Sequence, residues 1–410
     1  MLLERFCRYV QIDSQADEAS KSYPSTPGQL EMGRLLAKEL QTMGVRDAVQ
    51  DAHGIVLATL PATQTKLCPV IAWIAHVDTS PETSGHGVKP QVQRNYAGDD
   101  IVLPGDPSKI IRVADNPDLL TCLGKTLVTT DGTTLLGADD KAGIAVIMHA
   151  AEYLLAHPEI PHGPIRVCFT CDEEIGHGVD HLDLKKLGAQ VGYTLDGGGT
   201  GEIDGETFSA DLAVLTITGV NIHPAIAKGR MINAVRIAGA FLERMPWQAL
   251  SPENTSDREG FLHPYKIEGG VGAVTLRILL RDFETPKLAE KALLLQNIAY
   301  LLMVEHSGSH VEVKMTPQYR NMAEGLVKEP RAVDFAEEAM KRVGLKPKRT
   351  IVRGGTDGSR LTELGLPTPN LSCGEHNLHS PLEWTCIEEM EIAARVLVEL
   401  ARIWGEASVG

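Results

Sequence analysis

Two rhythms of apolar residues alternate along the chain. Short continuous runs at 70–75, 165–170 and 193–195 have the length and the β-branched and aromatic content of strands buried on both faces. Between them stand segments whose apolar residues recur three and four apart, as on one face of a helix. Thr26-Pro27-Gly28-Gln29 offers a capping box with proline at the first helical position, and Gly44 offers a stop. From 142 to 157, Ala145, Met148, Ala151 and Leu155 keep helical spacing behind Asp139 and Asp140, whose charges suit a helix N-terminus. Further helices are predicted at 330–344 and, from a second capping box at Thr385 and Glu388, toward Trp404. Strands alternating with helices predict an α/β domain with a mostly parallel sheet and helices on both faces. Its chemistry belongs in loops beyond the carboxyl ends of the strands.

The rhythm changes near Phe208. Ala210, Leu212, Val214 and Thr216 alternate with their neighbours as in a half-buried strand. There follow a helix opened by His223-Pro224, a polar loop at 251–269, a strand at 271–280, a helix at 286–304 and a strand at 311–315. This is the pattern of a smaller α+β insert at 208–320, interrupting a larger domain made of 1–207 and 321–410. A chain of 410 residues exceeds what one hydrophobic core usually supports, which also argues for two domains.

Composition narrows the function classes. Hydrophobic residues at 43% and charged residues at 23% are those of an ordinary globular protein. A formal charge of -15, from 39 basic against 54 acidic residues, predicts no nucleic-acid partner, because a phosphate backbone calls for a basic face. No apolar run approaches the roughly 18 to 20 residues of a membrane helix, so no membrane partner is expected. Met1-Leu2-Leu3-Glu4-Arg5 opens directly into an amphipathic helix without the pattern of an export signal. Seven scattered cysteines read as the reduced thiols of a cytoplasmic protein. Cys168 and Cys171 form a solitary Cys-x-x-Cys inside a strand, and read as core thiols.

Five groups fall at strand ends or in the loops after them: His76-Val-Asp78, Asp139-Asp140, Glu173-Glu174, Asp196-Gly-Gly and His379. Each alone has a plain reading as a solvated helix start or a surface polar residue. Together they would gather a negative cluster at one sheet edge, where close carboxylates repel unless protonated or bound to cations. Two divalent ions would neutralise it. Mixed imidazole and carboxylate donors suit zinc, with cobalt or manganese as substitutes.

These motifs carry a resemblance. Ile74-Ala-His76-Val-Asp78, Leu136-Gly-Ala-Asp139-Asp140-Lys-Ala-Gly143, Cys171-Asp-Glu173-Glu174-Ile-Gly176 and Asp196-Gly-Gly198 resemble the ligand motifs of the dinuclear-zinc superfamily that includes aminoacylase and carboxypeptidase G. Gly219-Val-Asn-Ile-His-Pro224, Arg353-Gly-Gly-Thr-Asp-Gly358 and Tyr23-Pro-Ser-Thr-Pro-Gly-Gln29 are similar to its peptidase T family of tripeptide aminopeptidases. The likeness runs from near residue 5 to near residue 405. It implies a catalytic domain interrupted by a lid domain, and two Zn2+ per chain. Asp139 would bridge both ions, His76 and Asp196 would complete one site, and Glu174 and His379 the other. Asp78 would orient the His76 imidazole, and Glu173 would act as general base without binding metal. His223 would meet charge developing on the substrate oxygen, by domain closure or from a partner subunit; its plain reading is a helix cap. The implied partner is a short peptide with a free N-terminus, and the chain is expected as a monomer or homodimer.

Arg353, beside Gly354-Gly355, is chemically suited to a peptide's terminal carboxylate, with Arg281 and Asn233 as further candidates. Around the last ligand the chain departs from the family pattern. Gly374-Glu-His-Asn-Leu-His379 stands where the family usually has Gly-Gly-Tyr-Asn-Phe-His, which makes His376 a rival to His379 and sets Glu375 and His376 toward the substrate's amine. Two other readings stay open. A sister aminoacylase, carboxypeptidase or dipeptidase would use the same metals and base, and a non-catalytic protein would merely bind metal, a role that has no need of Glu173.

Overall fold

The computed structural model describes residues 2–408. They form two compact units: one runs to Gly205 and takes in Met322–Thr350 and the chain from Thr356, and the other comprises Glu206–Asn321 with Ile351–Gly355.

The first unit is built on an eight-stranded sheet in the order Val49–Gln50, Val56–Leu60, Ile165–Thr170, Ile71–His76, Val191–Thr194, Asn370–Leu371, Glu202–Thr207, Lys348–Val352. The strands from Ile165–Thr170 to Asn370–Leu371 are mutually parallel, while Val56–Leu60 and Glu202–Thr207 join them antiparallel. The sheet is thus parallel at its centre and mixed at its flanks. A parallel pair needs a crossover, and the helix Ala138–Ala156 supplies the one between Ile71–His76 and Ile165–Thr170.

All six residues of Ile71–His76 are buried, as expected of a strand covered on both faces. On one face Trp73, Val167 and Phe169 share a core with Leu36, Met148, Ala336 and Leu397, from four different helices. On the other, Ala72, Ile74 and Cys168 meet Val179, Leu187 and Leu361. Each fully buried large side chain contributes about 1.5–3 kcal/mol. The central strands are therefore the rigid frame, and their carboxyl ends are fixed points for side chains. Cys168 and Cys171 are free thiols of this interior.

Two helix starts differ from expectation. Thr26 precedes the helix Pro27–Thr42 without a side-chain cap; its hydroxyl oxygen instead accepts the Gln29 side-chain amide at 3.3 Å, and that amide also reaches the buried carboxylate of Asp172 at 2.6 Å. The last helix, Ile387–Glu406, begins beyond Thr385, which lies in the strand Trp384–Cys386. There the Thr385 hydroxyl donates to the Gly374 carbonyl at 2.7 Å, and Glu388 accepts the Thr126 N–H at 2.8 Å rather than capping its own helix. That strand belongs to a small second sheet, ordered Glu375–His376, Trp384–Cys386, Leu127–Thr129, Gln91–Gln93.

The other unit is a four-stranded antiparallel sheet, ordered Phe261–Gly270, Ala273–Asp282, Ser209–Thr218, His310–Tyr319. Ala213, Leu215, Ile217, Val274, Leu276 and Ile278 pack against Ile237 and Phe241 of helix Ala234–Arg244 and Leu295 and Leu302 of helix Thr285–Glu305. No helix opens at His223-Pro224. Pro224–Ile226 is a single 3-10 turn, Gly229 takes φ +71°, and the helix starts only at Ala234 with Asn233 as its N-cap. Asn233 therefore precedes the helix. The expected polar loop at 251–269 is in large part the strand Phe261–Gly270. It lies at the sheet edge with most side chains outward, which gives a strand the polarity of a loop, and its proline sits at a bulge between Pro264 and Lys266.

A candidate dinuclear metal centre

The carboxyl ends of the parallel strands bring the acidic and imidazole groups of the first unit together. His76 closes its strand, and its Nε2 lies 2.9 Å from Asp139 Oδ1 and 3.8 Å from Asp196 Oδ1. Its Nδ1 faces Asp78, 3.1 Å from the carbonyl and 3.4 Å from Oδ1. An Nδ1–H given to Asp78 leaves Nε2 as the inward lone pair, the tautomer a metal ligand requires. Asp78 does more than orient this ring. Its two oxygens accept the N–H groups of Glu173 and Glu174, each at 3.1 Å, and so hold the tight turn Glu173–Ile175 against the strand end.

Asp139 stands at the middle of the cluster. Oδ1 meets His76, and Oδ2 meets His379 Nε2 at 3.2 Å. His379 Nε2 is also 2.9 Å from Glu174 Oε2. The structure thus sets one carboxylate between two imidazoles, with Asp196 on the His76 side and Glu174 on the His379 side. Of the two rival histidines it brings His379 here. His376 points away, its Nε2 2.8 Å from Glu389 and its ring stacked 3.7 Å from Trp384.

The electrostatics are those of a site short of positive charge. Burial, then the charge of Asp139, raises Asp196 to about 6 and Glu174 to about 8. Burial also pushes Glu173 well up. His379 is drawn down by burial but held up to about 11 by Asp139 and Glu174. Glu174 Oε1 is buried with no hydrogen-bond partner among the described residues. His76, Asp139 and Glu174 form one set with donor atoms within 4.8 Å of one another, as do His76, Asp140 and Asp196. Imidazole and carboxylate donors, excess buried negative charge and an unpartnered oxygen all fit divalent cations.

Other carboxylates support the cluster without a motif to announce them. Asp140 accepts the N–H groups of His76 and Gly143 at 3.0 and 3.1 Å, fixing strand end to helix start. Glu383 accepts three N–H groups, from Leu136 and Gly137 at 2.7 Å and Asp139 at 3.1 Å, and shapes the approach to the central aspartate. Glu375 is buried near Asp139 and Asp196, and its Oε2 also lacks a partner among the described residues. In the sequence, Glu383 shows only as an acid two residues after a proline. A carboxylate that accepts from backbone N–H groups leaves no periodic trace.

The remaining candidates lie in the other unit. Arg353 donates to the carbonyls of Asp257, Glu259 and Thr255 and to the Thr255 hydroxyl, over the rings of Phe208 and Phe261 at 5.2 and 5.7 Å. Arg281 is buried, bonded to Gln318 at 2.9 Å and lying over Tyr319. Asn233 accepts the Val235 N–H at 2.9 Å as a helix cap. His223 is exposed and accepts the Ala225 N–H through Nδ1, which leaves the other ring nitrogen for a ligand.

Comparison with known proteins gives the family. The model of peptidase family M20/M25/M40 matches residues 130–403. Peptidase T of Desulfitobacterium hafniense is 46% identical over 405 residues, covering 99% of this chain and 98% of its own. Peptidase T of Geobacillus thermodenitrificans is 44% identical over 403 residues, covering 98% of each. The crystal structure of an aminopeptidase from Bacillus cereus superposes with TM-score 0.75 at 26% identity, covering 98% of both chains. The family expected from the motifs is the family found, and this chain belongs to peptidase family M20/M25/M40, with peptidase T proteins as its full-length relatives.

Proposed function

We propose that this protein is a cytoplasmic two-metal aminopeptidase that removes the N-terminal residue of short peptides, tripeptides foremost. The observation that carries the reading is the Asp139 carboxylate set between His76 and His379, one oxygen to each imidazole. Two divalent ions, zinc by the preference of the donors, would be held by His76, Asp139, Asp196, Glu174 and His379. When bound they would polarise the scissile carbonyl and lower the pKa of an attacking water.

The chain's own residues do the rest. Glu173 shares the Asp78-held turn with Glu174 but is absent from the donor sets, which leaves its carboxylate for proton transfer. It takes the proton of the attacking water and returns it to the leaving amine. Its burial-raised affinity for protons suits both halves of that exchange. In the unit we read as a lid, His223 would donate to the oxygen on which charge develops. Arg353 would meet the peptide's carboxylate, exchanging some of its bonds to carbonyls for charge-assisted ones. The seven free thiols suit a reducing compartment.

The test uses zinc-reconstituted protein with a tripeptide, its N-acetylated form and the matching dipeptide, followed by mass, beside Glu173→Gln. The proposal expects release of the first residue from the free tripeptide only, with turnover lowered about 10²–10⁴-fold in the variant at unchanged metal content. Cleavage of the acetylated peptide would move the activity to a deacylase or carboxypeptidase. No turnover with both ions bound would leave a metal-binding protein.

A further inference from the structure

A second cluster of metal-binding side chains lies apart from the one just described. Cys122 ends the 3-10 helix Pro117–Cys122, Cys386 ends the strand Trp384–Cys386, and Glu389 is in the first turn of the helix Ile387–Glu406. Their donor atoms lie within 4.8 Å of one another, and all three residues are buried, the two thiols completely. Cys122 Sγ is 3.7 Å from Glu389 Oε1, while Glu389 Oε2 is 2.8 Å from His376 Nε2.

As a set of core residues this is poorly matched. A thiol is a weak donor, so Oε1 of a buried carboxylate receives little for its desolvation. The Cys386 thiol meets Glu388 Oε2 at 3.5 Å, and core thiols are common, but two thiols and a buried carboxylate gathered within 4.8 Å are what soft and borderline cations select. The surroundings add what ligand sets generally have. His376 bonds the carboxylate oxygen that faces away from the thiols, and stacking on Trp384, 3° from parallel, fixes its ring. The position is also one where a staple would matter. Glu375–His376 and Trp384–Cys386 are paired strands on either side of the segment carrying His379.

We infer that Cys122, Cys386 and Glu389 form a third, structural metal site for a zinc-like divalent ion, with His376 orienting the carboxylate, which ties the base of the His379 segment to the 3-10 helix Pro117–Cys122. Binding releases the two thiol protons to solvent and leaves a fourth coordination position for water. The inference stands independently of the proposed activity.

Cobalt separates this site from the other, whose five proposed ligands include no sulfur. Chelator-stripped protein is reloaded with Co2+, and the near-ultraviolet thiolate-to-cobalt band and bound metal are measured for wild type, Cys122→Ser, Glu389→Gln and Cys373→Ser. Cys373 is the control because its thiol lies beside Asp140 and Glu375. The expected result is a band in wild type and Cys373→Ser that is lost in Cys122→Ser with one equivalent less cobalt. Glu389→Gln, which keeps both sulfurs, should bind that equivalent at least tenfold more weakly. Should Cys122→Ser not fold, wild type and Glu389→Gln still decide. Absence of the band from metal-loaded wild type overturns the inference, as does a band that disappears in Cys373→Ser. A native mass lighter by two hydrogens, with two thiols lost to titration, would show a disulfide in its place and overturn it too.

Discussion

A buried carboxylate that accepts backbone N–H groups does the work of a scaffold, and Glu383 holds three of them on the path into Asp139. Glu383→Gln keeps the shape but replaces an acceptor oxygen with an NH2 that faces N–H groups. Metal affinity should fall about 10–100-fold, as when supporting partners of ligands are removed, with the five proposed ligands intact. Competition with a chelator measures this, and unchanged affinity would mean that the loop is held without it. Arg353 poses a different question, because its bonds to Thr255, Asp257 and Glu259 already give it a structural role. If it also clamps the peptide's carboxylate, Arg353→Ala should raise KM for a tripeptide about 10–100-fold, the worth of a charge-assisted bond. The same variant should treat the C-terminal amide no worse than wild type does. Equal losses on both substrates would assign Arg353 to structure alone. Of the proposed ligands, His76, Glu174 and Asp196 were legible because they end or follow an apolar strand, whereas Asp139 and His379 showed only through the family resemblance. Glu383 was not legible, since its partners are backbone groups more than 240 residues away in the chain.

At the scale of elements, helix bodies and central strands followed the apolar period closely, while helix starts went to whatever polar partner lay nearby in space. Gln29 is the clearest case. Its amide nitrogen and oxygen both bond Asp172, to the carboxylate at 2.6 Å and the backbone N–H at 3.0 Å, so the side chain read as a cap joins the helix to the turn that precedes Glu173. Asp172 takes φ +61° and also accepts from Ser25, which makes this a defined corner of the first unit. Gln29→Ala should therefore cost about 1–3 kcal/mol, the loss expected when a buried ionic group loses a partner, rather than the few tenths of an exposed helix position. Denaturant unfolding measures it, and a cost near zero would show that Ser25 and water suffice. The same reasoning explains His223-Pro224. Proline after a polar residue is a helix-start signal, but three residues of 3-10 turn satisfied it, and Asn233 provided the cap that the longer helix used. The edge strand Phe261–Gly270 escaped for want of an alternating buried face. The strands of the small sheet, two and three residues long, are too short to show any period.

Over the whole molecule, the sheet concentrates at one edge what the rest of the chain disperses. The net charge of -15 is spread over a large surface, but Asp139, Asp140, Glu174, Glu375 and Asp196 converge in the interior of one unit. In the metal-free protein this has a definite consequence for stability. Asp196 at about 6 and Glu174 at about 8 lie above their unfolded values of roughly 4, and His379 at about 11 lies above roughly 6.5. For all three the folded state holds protons that the unfolded chain has released. Their contribution is complete below the unfolded values and is lost as pH rises through the folded ones. Asp139 is shifted down, the opposite sign, but its loss belongs to acid and adds no slope above pH 6. Chelated protein should therefore lose stability steadily as pH rises from 6 to 9, by about 5 °C or more in Tm, given about 2–4 °C per kcal/mol for a large domain. Ions bound to the same groups displace these protons, so the metal-loaded protein should show a much flatter profile and a higher Tm throughout. Calorimetry of both forms across this range checks the sign directly. Parallel curves would mean that the cluster is not what binds the metal, whereas divergence toward alkaline pH is the signature of carboxylates and imidazoles gathered to be neutralised by cations.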